Sequence, residues 1–131
     1  MITFSFVKNP MLDELKVNYW KILDILRVSG DPLWTPVLKP AILTGMKGKR
    51  DGVIGSNVNK GYEIYICLDG NDVNSATYVL LHELAHMSVS EYDHSTGYWE
   101  NFKKIKELAI QHGIYTKKGT RNYCGDVIPD P

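Results

Sequence analysis

The stretch YVLLHELAHMSVSEYDHSTGYWENF, residues 78 to 102, sets three histidines in an otherwise apolar and aromatic run. Within it, His82-Glu83-Leu84-Ala85-His86 fits the pattern H-E-x-x-H. Four residues of α-helix turn about 400°, so the imidazoles of His82 and His86 lie nearly above one another, one turn apart. That spacing puts two nitrogen ligands on one side of a zinc ion at about 2.0–2.1 Å. Glu83, offset by one residue, reaches a water on the metal rather than the metal itself and can accept its proton. The same five residues also suit an ordinary helix with two half-buried histidines and a solvated glutamate, so the flanks and a further ligand must decide.

A catalytic zinc takes three protein ligands and keeps one open position for water. His94 lies eight residues beyond His86. On an unbroken helix it would be rotated by about 80° and raised by about 12 Å, out of reach. It can ligate only if the chain turns back after about Ser90, and SEYDHSTG is turn-like. Glu100 or Glu107 on a following helix is the alternative, and Cys124 is a candidate fourth ligand that would block the water position. His112 precedes Gly113 at a helix end, where a cation suits the helix dipole and needs no further explanation.

The elements that carry these residues follow from periodicity and breakers. ITFSFV alternates as a short strand. Asn9 and Pro10 can open a helix in which Leu12, Leu15, Tyr19, Ile22 and Leu26 recur at helical spacing, and Gly30 closes it. DPLWTPVLKP, with three prolines, is expected to be extended or an edge segment. The glycine-rich, basic stretch that follows is a loop, with a short strand at GVIGSN. YEIYICL alternates Tyr62, Ile64, Ile66 and Leu68 against Glu63, Tyr65 and Cys67, the clearest strand in the chain. The motif helix runs from about residue 73 to about 90, with Tyr78, Val79, Leu81, Leu84 and Ala85 packing around it. A second helix runs from residue 95 or 96 to before Gly113, with Trp99, Phe102, Ile105, Leu108 and Ala109 inward and Lys103, Lys104 and Lys106 toward water. The tail is irregular but aromatic enough to pack.

The 131 residues fit one domain, 1–131, with a single hydrophobic core. Fifteen basic and fifteen acidic residues cancel, so net charge argues for neither nucleic acid nor membrane. The charge is uneven, however. Residues 61–100 hold seven acids and no Lys or Arg, whereas residues 103–121 hold six bases against Glu107. Such a strip is ordinarily solvated surface; its sharper reading is weak binding of nucleic acid or another polyanion through Lys103, Lys104, Lys106 and Arg121. Cys67 and Cys124 do not make a disulfide framework and are expected to be free thiols in a reducing compartment, with a single bridge between them as the alternative. No apolar run is long enough to span a bilayer, and the N-terminus lacks the features of a signal peptide, so an intracellular protein, cytoplasmic or nuclear, is expected.

HELAH…HSTGYWENFK resembles the small zinc metallopeptidases of the SprT and WLM type, in which a third histidine precedes a small residue, two variable positions and an aromatic pair. Here that run reads His94, Ser95, Thr96, Gly97, Tyr98, Trp99, with Tyr98 where the pattern usually has Phe. YICLDG before the motif, and GIY and RNYCG after it, are similar to uncharacterised WLM-like proteins of large DNA viruses; the likeness covers roughly residues 62 to 128. The resemblance implies an α+β, minimal zincin fold: a small sheet on a helix bearing the first two ligands, and an edge strand over the cleft. Carried over residue by residue, it implies His82, His86 and His94 as zinc ligands and Glu83 as general base. It does not carry over DNA repair.

Tyr123 and Arg121, in the tail, are candidate extra donors to the oxyanion formed during peptide hydrolysis. The expected activity is therefore zinc-dependent hydrolysis of a protein or peptide, with the strand from Tyr62 to Leu68 as an edge on which an extended substrate adds. The rival expectation is a non-catalytic, zinc-stabilised module, for example in a virus particle.

Overall fold

A computed structural model describes residues 9–49, 52–58, 62–90 and 96–130. The strand expected at ITFSFV lies outside these residues. Helix α1 (Pro10–Ser29) opens as its sequence requires: the Asn9 side chain accepts the Met11 N–H at 3.0 Å, and Pro10 occupies the first turn, where no N–H is needed. It closes at Gly30, whose φ of 66° only glycine adopts without cost. Met11, Leu15, Tyr19, Ile22, Leu23 and Leu26 form its buried face.

The proline-rich segment is not extended. It forms a 3-10 helix, Pro32–Val37, opened by the Asp31 side chain accepting the Leu33 N–H at 2.9 Å. Pro32 sits in the first turn, and burial of Trp34 and Val37 in the core fixes the curl. Prolines restrict φ to values this tight helix shares, so local composition did not exclude it.

Three strands follow: β1 (Ile42–Lys47), β2 (Gly55–Val58) and β3 (Glu63–Leu68). Their order is β1-β3-β2. β3 pairs in parallel with β1, Ile42 opposite Glu63, and antiparallel with β2, Gly55 opposite Ile66. The strand expected to lie at an edge is therefore the centre of the sheet. Ile64, Tyr65, Ile66 and Cys67 are all buried, so alternation in the sequence concealed a strand covered on both faces.

Helix α2 (Val73–Met87) starts at Asp72, whose Oδ1 accepts the Ser75 N–H at 2.9 Å. It is apolar nearly all round and packs against α1, the sheet and α3 (Thr96–Gln111). Tyr78, Val79, Leu81, Leu84 and Ala85 are buried, as expected of the motif's flanks. On α3, Phe102, Ile105 and Ala109 face the core, but Trp99 is 47 % exposed.

The tail is more ordered than its composition indicates. β4 (Arg121–Tyr123) and β5 (Asp126–Ile128) form an antiparallel hairpin. Its two-residue turn, Cys124-Gly125, has positive φ at both positions, 49° and 78°. Cys124 is bonded to Cys67 of β3 in a disulfide with a Cα–Cα distance of 6.5 Å. This overturns the expectation of free thiols: two cysteines 57 residues apart are brought together by the docking of the hairpin on β3. The chain is thus α+β; among the described residues a three-stranded mixed sheet and a separate hairpin pack with three α-helices around one apolar cluster.

Candidate metal centre

His82, Glu83 and His86 project from the C-terminal half of α2. One ligand atom from each can be chosen so that all lie within 4.8 Å of one another, a grouping able to hold a metal ion. The imidazole rings stand 5.0 Å apart, as one helical turn dictates. Both histidines are half-buried, while Glu83 is only 5 % exposed. Two nitrogen donors and a carboxylate, half-open to solvent and carried on a rigid packed helix, are a donor set that suits zinc.

Three neighbours shape this group. Tyr98 of α3 is fully buried beneath it; its ring lies 4.5 Å from that of His86 and 5.5 Å from that of His82, and its hydroxyl donates to the His82 carbonyl at 3.1 Å. The departure from Phe at this position thus adds a hydrogen bond to the motif helix. Asn57 of β2 donates through Nδ2 to the Glu83 carbonyl at 2.9 Å and to Glu83 Oε1 at 3.2 Å. Gly55 of β2 lies so close that a Cβ there would meet Val79 Cγ1 at 2.6 Å and Glu83 Oε2 at 3.2 Å. Burial pushes the Glu83 carboxyl up to about 7, against the opposing effect of the Asn57 hydrogen bond. Asn57 and Gly55 were not marked as site residues by sequence reasoning. They lie 26 and 28 positions before Glu83, and only strand pairing brings them to it; the short strand at GVIGSN was the available signal.

His94 lies outside the described residues. α2 does end at Met87 and α3 begins at Thr96, so the helix is broken before His94, the condition its ligation requires. The alternatives fare differently. Glu100 and Glu107 are exposed on α3 and do not join the group, and the Cys124 sulfur is held in the disulfide, which removes it as a fourth ligand.

Tyr123 is 2 % exposed, its hydroxyl donating to the Cys67 carbonyl at 2.7 Å and accepting the Asp69 N–H at 3.3 Å. Those bonds pin the hairpin to the end of β3 and leave the hydroxyl engaged there. Burial, foremost, raises its pKa. Arg121 is likewise engaged, with Gly119 and Tyr115. In the basic strip, Lys106 is bonded to the buried Asp130 at 2.8 Å, so Lys106 and Arg121 are turned to internal partners while Lys103 and Lys104 remain exposed.

The H-E-x-x-H group is thus borne on a helix that packs against a small mixed sheet. The chain matches the WLM domain over residues 39–127, which takes in β1 to β4, the motif helix and all but the last residue of β5, and it belongs to that family. It is 34 % identical over 99 residues to an uncharacterised protein of Acanthamoeba polyphaga mimivirus, covering 67 % of this chain and 50 % of the relative. It is also 33 % identical over 85 residues to an uncharacterised protein of Invertebrate iridescent virus 6, covering 57 % of this chain and 47 % of the relative. The chain spans about half the length of these curated relatives. No solved structure matches it. Among the described residues, no helix is long and apolar enough to cross a membrane.

Proposed function

We propose that this protein is a zinc-dependent metallopeptidase of minimal zincin type, in which His82, His86 and His94 hold the ion and Glu83 is the general base. The observation that carries the reading is the buried Glu83 carboxylate held beside two histidines one turn apart. A bound zinc would supply Lewis acidity, lowering the pKa of a water and polarising a carbonyl oxygen. The rest is work for the chain. Asn57 orients the Glu83 carboxylate from the strand side. Glu83, held beside the two histidines, would accept a proton from the attacking water and return it to the departing amine. Glu83 is only 5 % exposed, which keeps bulk water from the carboxylate.

The substrate rail passes from β3 to β2. Among the described residues β2 pairs with β3 on one side only, and its first residue lies against Glu83, so an extended peptide added to its outer edge would run past the site. Glu83→Gln tests the reading. Elemental analysis should find the zinc content unchanged, while peptide hydrolysis falls by about 10²–10⁴-fold. Loss of zinc along with activity would make Glu83 a ligand. Equal inertness of wild type and Glu83→Gln, with zinc bound in both, would favour the non-catalytic, zinc-stabilised module.

A further inference from the structure

Beside the metal group opens a cleft of about 220 Å³ with His82 and Glu83 in its wall. Its other walls come from four separate elements: Val53 and Ile54 leading into β2, Tyr78 and Val79 of α2, Trp99 of α3, and Val127 to Pro129 at the end of β5. Apart from the metal group, the charged side chain in this lining is Asp126, whose carboxylate is already bonded to Lys49 at 2.7 Å, and the Tyr78 hydroxyl donates to the Pro129 carbonyl at 3.3 Å. An apolar cavity of roughly 150 Å³ is enough to hold a benzene ring. This cleft therefore has room for one large apolar side chain, and it is smaller than the roughly 300–1,000 Å³ of sites for whole small-molecule ligands.

The cleft does not stop there. Tyr78, Trp99 and Pro129 are shared with a second hollow of about 320 Å³ that runs along α3 past Phe102 to Lys103, Ile110 and Lys117. The lining of this second hollow holds three lysines and one acid, Glu107. Lys106 is neutralised by Asp130, whereas Lys103 and Lys117 are exposed and make no ion pair among the described residues. The track that begins apolar at the metal group thus ends with a net positive charge.

We propose that this track reads the substrate: a large apolar or aromatic side chain of an extended peptide seats in the cleft beside the metal group, and an acidic side chain a few residues further along lies against Lys103 and Lys117. The placement of the apolar residue next to the cleaved bond rests on the peptidase reading; the binding preference itself does not. The apolar contact supplies most of the discrimination, because even one methylene in such a pocket is worth about 10–200-fold. The exposed lysines add about two- to fivefold at low salt and less at high salt.

The test uses the full chain loaded with zinc, with Glu83→Gln alongside, and fluorescein-labelled peptides read by anisotropy. A peptide with a central Phe and a downstream Asp should bind at least about tenfold more tightly than its Phe-to-Gly counterpart. Val127→Arg, at a position 60 % exposed and outside the metal group, should weaken the Phe peptide and leave the Gly peptide unchanged. Reversing both lysines, Lys103→Glu with Lys117→Glu, should invert the preference between downstream Asp and Lys. Melting temperatures of the variants report whether they are folded, and the peptide exchanges on the unaltered chain need no variant. Equal affinity for Phe and Gly peptides, no peptide binding up to millimolar concentration, or binding of duplex DNA that replaces any preference for the apolar residue would each overturn the proposal. Hydrolysis without either preference overturns it and leaves the peptidase reading standing. The preference in binding without hydrolysis supports it and removes the peptidase reading.

Discussion

Glu83 owes its setting to two residues of one short strand. Asn57 supplies a donor to its carboxylate, and Gly55, by lacking a side chain, lets the strand approach it. The carboxylate is buried, which is why its pKa rises even with a hydrogen bond pulling the other way. Asn57→Ala removes that donor and leaves the histidines untouched. A hydrogen bond to a charged group contributes about 1.5–3 kcal/mol, so hydrolysis is expected to fall about ten- to hundredfold with zinc content unchanged. Steady-state kinetics paired with elemental analysis checks this; unaltered turnover would show that the carboxylate is placed by α2 alone.

At the scale of elements, the close passage of β2 over α2 and the docking of the hairpin on β3 shape the site. A methyl at position 55 would sit 2.6 Å from Val79 Cγ1, and a β-branched side chain on a helix has little rotameric freedom to move aside. Gly55→Ala is therefore expected to destabilise the fold by about 1–3 kcal/mol, as overpacking does, and to displace Glu83. Urea denaturation measures the first, and loss of hydrolysis with zinc retained measures the second. The hairpin, for its part, is joined to β3 by the disulfide, by the Tyr123 hydroxyl on the Cys67 carbonyl, and by the Cys124 N–H donating to Asp69 at 3.0 Å. A bridge between residues 57 apart removes loop entropy from the unfolded chain, typically about 2–4 kcal/mol. Denaturation with and without dithiothreitol, and of the Cys67→Ala, Cys124→Ala double variant, should show a loss of that size. An unchanged midpoint would mean that the hydrogen bonds and packing hold the hairpin unaided.

At the scale of the whole molecule, the segment after β5 is tied to α3 through one buried charge. Asp130 is fully buried, with Lys106 at 2.8 Å on one carboxylate oxygen and the Tyr115 hydroxyl donating to the other. Arg121 in turn donates to the Tyr115 hydroxyl at 3.0 Å. Burial by itself would raise the Asp130 pKa, but the hydrogen bonds from Lys106 and Tyr115 and the charges of Lys106 and Lys117 outweigh it, and the net shift is downward from 3.8. A carboxyl lowered on folding stabilises the native state above its unfolded pKa and loses that contribution as pH falls through the folded value. Stability should therefore hold at neutral pH and decline as the pH drops below about 4, and Asp130→Asn should flatten that decline while costing about 3–5 kcal/mol at pH 7, since Lys106 loses its partner. Thermal melts of both proteins across that pH range decide it; parallel curves would remove Asp130 as the acid-sensitive group.

What the sequence determined by itself is what is encoded within a turn or two of the chain. The His82–His86 spacing, the Asn9 and Gly30 ends of α1, the start of α2 and the existence of a strand at β3 all follow from local periodicity and backbone chemistry, and the structure keeps them. The choice of partners was left to tertiary structure. Alternation in YEIYICL marks a strand but cannot say how many neighbours it has, and β3 turned out to be flanked on both sides. Cys-Gly carries none of the usual Asn-Gly or Asp-Gly hairpin signal, so a turn stabilised by a distant disulfide was invisible locally. The same holds for Lys106, which helical periodicity places toward water and which Asp130, 24 residues away, draws inward. Asn57 and Gly55 reach Glu83 only through strand pairing. Local sequence sets dihedral preferences and faces; long-range contacts are selected by burial of the whole core and by the pairing of buried polar groups, which no window of the sequence contains.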